Sequence, residues 1–398
     1  MKLLVSADAH IYKTKDGKYW TPKIYGYSFW TRYLQVFDEV RVVARVKATE
    51  TFSEKWIRVD GPNVEVFGIP FYQGPKQLLK KYLSIQKALK HASDGCQAAI
   101  IRMPSQTSYM TYKKLDKEIP VAGEIVYDPT DDINDKNSGF LMRVLNRRIS
   151  EQLSSFCKSV NGVSYVTEKT IQSHYPSKAR IYGSNENFFE SYYSTITLDD
   201  AAFTGPRKFD KKKSITVALS DVSMNTERKG ERTLINAVKI ANEKGYKVNA
   251  IIIGDGSKKE EFMNWAVKCG VEDRVKFTGL LPSPEAVREV LLSADVFVFP
   301  TKAEGLPRGI LEAMAIGMPV LSSPVGGIPE VLDEECLLDP YDAERYAEEL
   351  CRFIDNPSIM EMLSEKNYLK SLEFRNDILQ EKRNEFYTKL RNISKKLI

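Results

Sequence analysis

Two glutamates, Glu304 and Glu312, stand eight positions apart on either side of a turn that contains glycine and proline. An apolar run at 296–300 predicts a β-strand before the turn, and the Ala-rich stretch 309–316 predicts a helix after it. Carboxylates accept hydrogen bonds from hydroxyl groups, and the start of a helix favours anions such as phosphate. The spacing therefore predicts a site for a phosphate with hydroxyl-bearing groups on both sides.

The start of this helix adds the groups that would face the phosphate. Pro307 suits the first helical turn, where a missing backbone N–H has no cost. The free N–H groups of Leu306, Arg308 and Gly309 would then point toward an anion. A nucleotide-sugar has this layout, with ribose on one side of the diphosphate and a hexose on the other. The alternative is structural: Glu304 balances the helix dipole, and Glu312 is an ordinary exposed helix residue.

Length and composition indicate a globular protein. The chain has 398 residues, 42% hydrophobic and 28% charged, enough for roughly two to three domains. The net charge of +5 is too small by itself to argue for nucleic acid, and we expect no nucleic-acid partner. Five cysteines without a CxxC pair indicate reduced thiols, and three histidines make a His-based metal centre improbable.

We expect neither a targeting segment nor a membrane-spanning segment in this sequence. No run approaches the roughly 18 apolar residues that a spanning helix needs. The N-terminal run reaches Asp8 too early for the core of a signal peptide, and it predicts a first strand instead. We expect a cytoplasmic location, with peripheral contact on the inner face of the cell membrane left open.

Apolar runs alternate with helical stretches along the chain, which predicts parallel sheets covered by helices. The predicted elements of the first half include a helix at 28–37 and a last strand at 179–182. The pattern lapses between about residues 190 and 213, at a Gly205-Pro206 breaker, and restarts at Ser214. We predict a first domain at 1–205, a second at 206–367, and a charged helix at 368–398 that packs back on the first.

Two α/β domains facing one another would form a cleft lined by the carboxyl ends of strands and by helix starts. From these arguments alone, the sequence predicts a two-domain enzyme for a phosphorylated ligand that carries a nucleotide.

Five ordered segments of the second domain carry a family resemblance. They are Lys229-Gly230, Ile253–Gly256, Arg274–Gly279, the E-x7-E run Glu304–Val320, and Pro324–Val331. Together they resemble the retaining GT-B glycosyltransferases of family 4, whose fold consists of two Rossmann-like domains facing across a cleft. In the first domain, Ile101–Ser105 and Glu124–Pro129 resemble the members associated with polysaccharide assembly.

This resemblance implies roles for individual residues. The catalytic residues would be Glu304, which contacts hydroxyls of the donor sugar, and Lys229, which neutralises the diphosphate. Glu312 would contact the ribose hydroxyls. The remaining implied donor-binding residues are Gly305, Leu306, Pro307, Arg308, Gly309, Arg228, Asp255, Gly256, Gly279 and Leu280.

The chemistry agrees with these roles. Breaking the anomeric C–O bond leaves charge on the departing diphosphate, which a fixed cation and a helix start stabilise without reorganisation. We therefore expect no metal and no other cofactor. Asp131-Asp132 is not the Asp-x-Asp pair that a metal would need; a helix cap or a solvated loop is its alternative reading.

One departure concerns the phosphate site. The family usually has an arginine five or six residues before the lysine, where this chain has Met224 and Ser223. Arg228 or Arg232 could substitute for it, or Lys229 could act with backbone amides alone.

The first domain matches the family less closely. Candidates for contacts with the acceptor or the reaction centre are Gly26, His10, Arg102, Glu124 and Asp128. A structural ion pair is the alternative for the charged residues, and a structural role is the alternative for His10.

The stretch 75–91 predicts a helix that is rich in lysine up to Lys90 and has no acidic residue. Such a helix could dock on anionic lipid headgroups, and Lys113, Lys114 and Lys117 would extend this basic patch. A solvated lysine face on a buried helix is the alternative.

The sequence thus predicts a hexosyltransferase-type enzyme of class EC 2.4. It would move a sugar from a UDP- or GDP-linked donor, with retention, to a glycan acceptor, and a lipid-linked intermediate of surface polysaccharide biosynthesis is the expected acceptor. Two alternatives stand beside it: a catalytically inactive nucleotide-sugar-binding subunit, and a sugar-nucleotide epimerase with the GT-B fold.

Overall fold

The computed structural model describes residues 1–22, 25–54, 56–130, 140–211 and 214–397, without the side chains of 140–142. The chain divides into two compact units. Unit 1 contains Met1–Pro129, Leu141–Tyr193 and Gln380–Ile398. Unit 2 contains Ser194–Leu379 and Thr130–Phe140, of which only the two end residues are described. Residues 194–205 and 368–379, which we assigned from the sequence to the first domain and to the packed-back helix, therefore lie in unit 2.

Unit 1 is built on a sheet of nine strands among the described residues. The strands are β1 (Lys2–Lys13), β2 (Tyr19–Thr21), β3 (Glu39–Ala48), β4 (Ile57–Arg58), β5 (Val64–Pro70), β6 (Ala98–Met103), β7 (Val121–Ile125), β8 (Gly162–Tyr165) and β9 (Phe189–Tyr192). Seven of them form a parallel sheet in the order β5-β3-β1-β6-β7-β8-β9. The short strands β2 and β4 form an antiparallel extension at the end of β1. Fully buried strands such as β6 have the apolar run that a parallel sheet requires.

The helices of unit 1 follow its strands. They are α1 (Tyr27–Trp30), α2 (Gly74–Leu89), α3 (Gln106–Tyr112), α4 (Phe140–Cys157), α5 (Thr170–His174) and α6 (Lys178–Tyr182). The last helix of the chain, α13 (Asn376–Leu397), ends in this unit. In the part of the chain that the structure describes, no helix combines the length and the apolar character needed to cross a bilayer.

Unit 2 has a second parallel sheet. Its strands are β10 (Ser214–Ser220), β11 (Lys247–Ile253), β12 (Val275–Gly279), β13 (Val296–Phe299) and β14 (Val320–Ser322), in the order β12-β11-β10-β13-β14. Its helices are α7 (Glu231–Glu243), α8 (Lys259–Lys268), α9 (Pro284–Leu292), α10 (Arg308–Ala315), α11 (Ala343–Asp355) and α12 (Pro357–Ser371). The predicted α/β class with parallel sheets is confirmed in both units.

Two predicted elements of unit 1 were wrong. Residues 178–182 form a helix, not a strand, because the side chain of Ser177 caps the N–H of Arg180. The edge strand of the sheet lies further along, at β9. The helix predicted at 28–37 is only α1 followed by a 3₁₀ turn. The predicted first strand is confirmed, and it extends to Lys13 as β1.

A buried ion pair joins the centre of the unit 1 sheet to the last helix. Arg102 on β6 and Glu124 on β7 are neighbours in register, with side chains only 5% and 4% exposed. Glu124 accepts hydrogen bonds from the hydroxyls of Tyr33 (3.0 Å), Tyr193 (3.1 Å) and Tyr387 of α13 (2.8 Å). Burial raises the pKa of Glu124. The charge of Arg102 and the hydrogen bonds from the tyrosine hydroxyls lower it by more than burial raises it, so the pKa of Glu124 lies below its usual value.

The substitution Glu124→Ala should therefore destabilise unit 1. It leaves Arg102 buried without its counter-charge and three tyrosine hydroxyls without their acceptor, which costs about 3–5 kcal/mol of unfolding free energy. Urea unfolding measures this loss. Glu118→Ala is the control, because Glu118 is exposed and should change stability by about 0.5 kcal/mol or less. Equal midpoints for the two variants would contradict the structural role of Glu124.

Candidate functional site

The predicted donor-binding residues all lie in unit 2, next to the carboxyl ends of its strands. Lys229 follows β10, Asp255 follows β11, Leu280 follows β12 and Glu304 follows β13. Since the strands are parallel, these loops emerge at the same edge of the sheet. That edge is where open α/β sheets bind their ligands.

An ion pair links two of these loops. The ammonium of Lys229 contacts Oε1 of Glu304, and the two side chains are 24% and 12% exposed. Lys229 also lies over the ring of Phe299, with Nζ 5.2 Å from the ring centre. The hydroxyl of the buried Thr301 is 3.3 Å from Oε1 of Glu304 and 3.2 Å from the carbonyl oxygen of Arg228. The structure thus brings together the two residues predicted to be catalytic, and both remain partly accessible.

Helix α10 begins beside this pair. The helix begins at Arg308, one position before the predicted start at 309, and its N-cap is Pro307, which has no side-chain acceptor for the N–H groups of the first turn. The N–H groups of the first turn, from Arg308 onward, therefore have no intrahelical acceptor. At the other end, the guanidinium of Arg207 donates to the carbonyl oxygen of Ile316 (2.8 Å). The helix is anchored at its carboxyl end and leaves its positive end uncapped.

The glycine loop after β14 supports the turn that carries Glu304. The N–H of Gly327 donates to the carbonyl oxygen of Gly305 (2.6 Å). Gly326 has φ +55°, and a Cβ atom there would overlap the carbonyl oxygens of Glu304 and Gly305. Only glycine allows this approach, so the match at 324–331 has a structural reason.

The Gly254-Asp255-Gly256 loop packs against the loop after β10. A Cβ at Gly256 would overlap the backbone of Met224, and the N–H of Met224 donates to the carbonyl oxygen of Asp255 (3.0 Å). The N–H of Gly254 donates to the carbonyl oxygen of Gly279 (3.1 Å), and the adjacent Leu280 is exposed. The exposed Asp255 lies 3.6 Å from the ammonium of Lys259. These contacts join the loops after β10, β11 and β12 at the strand ends.

Glu312 lies in a different environment from Glu304. It lines a cavity of about 50 Å³ with Arg288 of α9 and Thr197, Leu198 and Ala202. Burial raises the pKa of Glu312, although the charges of Arg308 and Arg288 oppose this shift. The residue Glu312 is partly exposed, and its contact with ribose hydroxyls stays a prediction.

The two arginines considered as substitutes differ in their surroundings. Arg232 is paired with Glu227 (2.9 Å) and with Glu261, and its guanidinium lies 4.4 Å from the centre of the Trp265 ring. Because these partners already hold the guanidinium of Arg232, the structure does not favour Arg232 as a phosphate ligand. Arg228 is partly exposed, and its carbonyl oxygen accepts a bond from the N–H of Lys302 (2.8 Å).

The first-domain candidates occupy structural positions in unit 1. Arg102 and Glu124 form the buried pair described above, so neither side chain is accessible to an acceptor. His10 lies within β1, not after it, with its ring centre 5.1 Å from that of Phe71. A Cβ at Gly26 would overlap the side chain of Ile57, so its close contact is with the protein itself.

Asp128 has a partner that the sequence analysis missed. This buried carboxylate lies 2.6 Å from Nδ1 of His174 and accepts a hydrogen bond from the hydroxyl of Tyr175 (2.9 Å). No local motif links the two positions, which lie 46 residues apart.

Asp131-Asp132 lies outside the described residues. Among the residues that are described, no group of three or more His, Cys, Asp or Glu side chains could hold a metal ion.

Two glycines at opposite ends of α7 give a matched test of the site's backbone. Gly230 and Gly245 have nearly the same φ, +86° and +88°, but a Cβ at Gly230 would overlap Pro300, whereas nothing lies within 4 Å of one at Gly245. Gly245→Ala should cost about 1–2 kcal/mol of unfolding free energy from the left-handed backbone alone. Gly230→Ala should cost about 3 kcal/mol or more, because the turn must also move. Denaturant unfolding measures both losses, and equal losses would contradict the close approach.

Comparison with known sequences gives a family match for unit 2. Residues 206–370 match the family model for glycosyl transferases group 1. Protein CapJ of Staphylococcus aureus is 26% identical over 376 residues, which cover 93% of this chain and 90% of that protein. The amylovoran biosynthesis glycosyltransferase AmsK of Erwinia amylovora is 33% identical over 138 residues, covering only 32% of this chain and 34% of that protein.

Comparison with solved structures extends to the whole chain. HepE from Anabaena, in complex with UDP and glucose, aligns with a TM-score of 0.64 at 17% identity over 97% of this chain and 98% of that one. At this identity the likeness concerns the fold. The chain therefore has the GT-B fold, and the match of its residues 206–370 to glycosyl transferases group 1 supports a glycosyltransferase with that fold.

Proposed function

We propose that the chain is a retaining hexosyltransferase that moves a sugar from a UDP- or GDP-linked donor to a glycan acceptor in surface polysaccharide biosynthesis. One observation carries this proposal: the Lys229–Glu304 pair lies beside the uncapped start of α10, at the strand ends of a parallel sheet. A cation, a carboxylate and a helix start are the groups that a sugar diphosphate needs. The AmsK name supports the polysaccharide class, and the UDP and glucose bound to HepE support the donor class.

In this proposal the leaving group is stabilised by fixed positive charge. When the anomeric C–O bond breaks, negative charge grows on the diphosphate. The ammonium of Lys229 and the first-turn N–H groups of α10 would face that charge without reorganisation. Positive charge then comes from the chain itself, so we assign no metal and no other cofactor to the reaction.

The proposed role of Glu304 follows from its pairing. Without a donor, its carboxylate is balanced by Lys229 and lies near the hydroxyl of Thr301. A bound diphosphate would share the ammonium of Lys229, and Glu304 would accept hydrogen bonds from the hydroxyls of the donor sugar. Both side chains are partly exposed, so this exchange of partners needs no buried charge to be uncovered.

We assign the incoming hydroxyl's proton to the donor phosphate, as in a front-face retaining reaction, so the mechanism needs no side-chain nucleophile. The family resemblance supports this assignment. We further propose that the acceptor is a lipid-linked glycan, which would bring the chain to the inner face of the cell membrane.

The catalytic proposal predicts that Lys229→Ala and Glu304→Ala each lower transfer at least roughly a hundredfold, since each removes a group facing developing charge or its counter-charge. Transfer is measured with purified protein, a donor panel and a lipid-linked acceptor. The exposed pair Lys239–Glu243 (3.7 Å) on α7 supplies the controls, Lys239→Ala and Glu243→Ala. Near-normal turnover in Lys229→Ala or Glu304→Ala would refute the assignment.

A thermal shift with UDP- or GDP-sugars identifies the donor base, because a ligand that binds the native state raises the melting temperature of the protein.

The surface of α2 supports the proposed membrane contact. Leu79 and Leu83, one helical turn apart, are 80% and 82% exposed, and Tyr82 beside them is 47% exposed. The helix and its C-cap carry lysines but no acidic residue, as the sequence analysis noted; these are Lys76, Lys80, Lys81, Lys87 and Lys90. Apolar side chains that face outward among lysines are the combination that binds anionic lipid surfaces.

The double substitution Leu79→Gln and Leu83→Gln should weaken binding to vesicles of phosphatidylglycerol and phosphatidylcholine at least tenfold. Burying each leucine contributes about 1.5–3 kcal/mol, and tenfold corresponds to about 1.4 kcal/mol. Met263→Gln with Val267→Gln is the control, because these residues are also exposed one turn apart, on α8 among acidic neighbours. Vesicle co-sedimentation measures the binding. Equal binding of both double variants would refute the α2 contact.

A further inference from the structure

A second pair of acidic residues lies behind the Lys229 turn and has no part in the proposed chemistry. Glu231 is the first residue of α7, and its side chain is completely buried. Asp221, in the loop after β10, is 5% exposed. The two carboxyl groups lie within hydrogen-bonding reach of each other. Buried acidic residues are rare unless they are paired with a donor or a cation, so this arrangement needs an explanation.

The hydrogen bonds around this pair do not balance if both groups are ionised. Oδ1 of Asp221 accepts a bond from the N–H of Ser223 (3.0 Å). Oδ2 of Asp221 and both oxygens of Glu231 are buried, and none of them accepts a well-formed hydrogen bond from the described residues, although the backbone N–H of Glu231 acts on its own carboxyl group. A carboxylate only accepts hydrogen bonds, whereas a protonated carboxyl group also donates one. One proton held between the two carboxyl groups supplies the missing donor.

The cations near Glu231 are already paired with other carboxylates, so they do not displace the proton from Glu231 and Asp221. The groups that act on it are Asp221, after β10, and Lys229, in the turn before α7. Lys229 is already balanced by Glu304, after β13, and Arg232, next on α7, by Glu227 and by Glu261 of α8. Burial and the adjacent Asp221 raise the pKa of Glu231 to about 8, and Lys229 lowers it less than they raise it.

We propose that Glu231 and Asp221 share one proton, and that this proton makes Glu231 a positioning residue that holds the Lys229-Gly230 turn for the diphosphate. The inference rests on the proposed function for the identity of the ligand. The backbone of Gly230 cannot adjust to offset a shift of Glu231, because it is left-handed and packs against Pro300. Loss of the proton to water places two like charges in contact under the turn, and it adds a negative charge near the site that must accept a diphosphate.

The sign of the stability effect follows from the raised pKa. The folded chain holds the proton more tightly than the unfolded chain, whose glutamate titrates near 4.5. The stability contributed by this group is therefore fully present below about pH 4.5 and is lost as pH rises toward about 8. Glu231→Gln keeps a donor at every pH and has no charge to lose. Its melting temperature relative to wild type should rise over this range and level off above it.

The binding test uses UDP as the probe, titrated calorimetrically at pH 7 and pH 9. Wild type should bind UDP roughly fivefold more weakly at pH 9 than at pH 7, the change expected if bound diphosphate raises the pKa of Glu231 by about one unit from about 8. At pH 8 its binding should be accompanied by proton uptake. Glu231→Gln should bind like wild type at pH 7 and lose both the extra pH dependence and the proton uptake. Glu243→Gln, which removes an exposed charge at the far end of α7, should behave like wild type throughout.

Infrared difference spectra of wild type minus Glu231→Gln should show the carbonyl band of a protonated carboxyl group at pH 7, and this band should disappear at pH 9. The proposal is overturned if that band is absent at pH 7, or if Glu231→Gln keeps the pH dependence of wild type. If UDP and GDP fail to bind wild type at any pH, the donor proposal fails by itself. The infrared and melting measurements then still decide whether the proton is shared.

Discussion

The contact between Lys229 and Glu304 joins the loops that follow β10 and β13, which are neighbours in the sheet of unit 2. Each charge is partly withdrawn from water, so each depends on the other for compensation. The pair connects the Lys229 loop to the Glu304 loop, which leads into the start of α10. A ligand that replaces one partner must therefore bring charge of its own, and a sugar diphosphate brings negative charge to Lys229 and hydroxyl donors to Glu304.

The backbone around this pair depends on close approaches that side chains would prevent. Gly230 packs against Pro300, Gly326 against Glu304, and Gly256 against Met224. Each contact joins loops from two different strands, so the glycines fix the distances between loops and not only the shape of one turn. This explains why glycine-containing segments spread over more than a hundred residues act together. The loops form one surface because their backbones touch.

The parts of the site that the sequence predicted are those whose signals are local. The strand, turn and helix around Glu304 lie in one short segment, and the glycine motifs report their own backbone requirements. The missed features join positions that no local sequence pattern connects: Asp128 with His174, Glu124 with Tyr387, and Glu231 with Asp221. Burial decides the role of such residues, and burial is a property of the whole packed unit. The wrong strand at 179–182 has the same origin, because a single cap at Ser177 outweighed the apolar pattern.

Two of the Lys/Arg–Glu pairs, Arg102–Glu124 and Lys229–Glu304, differ in accessibility and therefore in what they can do. The Arg102–Glu124 pair has side chains 5% and 4% exposed, and three tyrosines fill the remaining positions around Glu124. A ligand could reach it only by leaving a charge buried without a partner, which costs several kcal/mol. The Lys229–Glu304 pair is 24% and 12% exposed and lies beside a helix start without a side-chain cap. In the proposed exchange, the diphosphate would compensate the charge of Lys229 and sugar hydroxyls would donate hydrogen bonds to Glu304, an exchange that the buried pair does not allow.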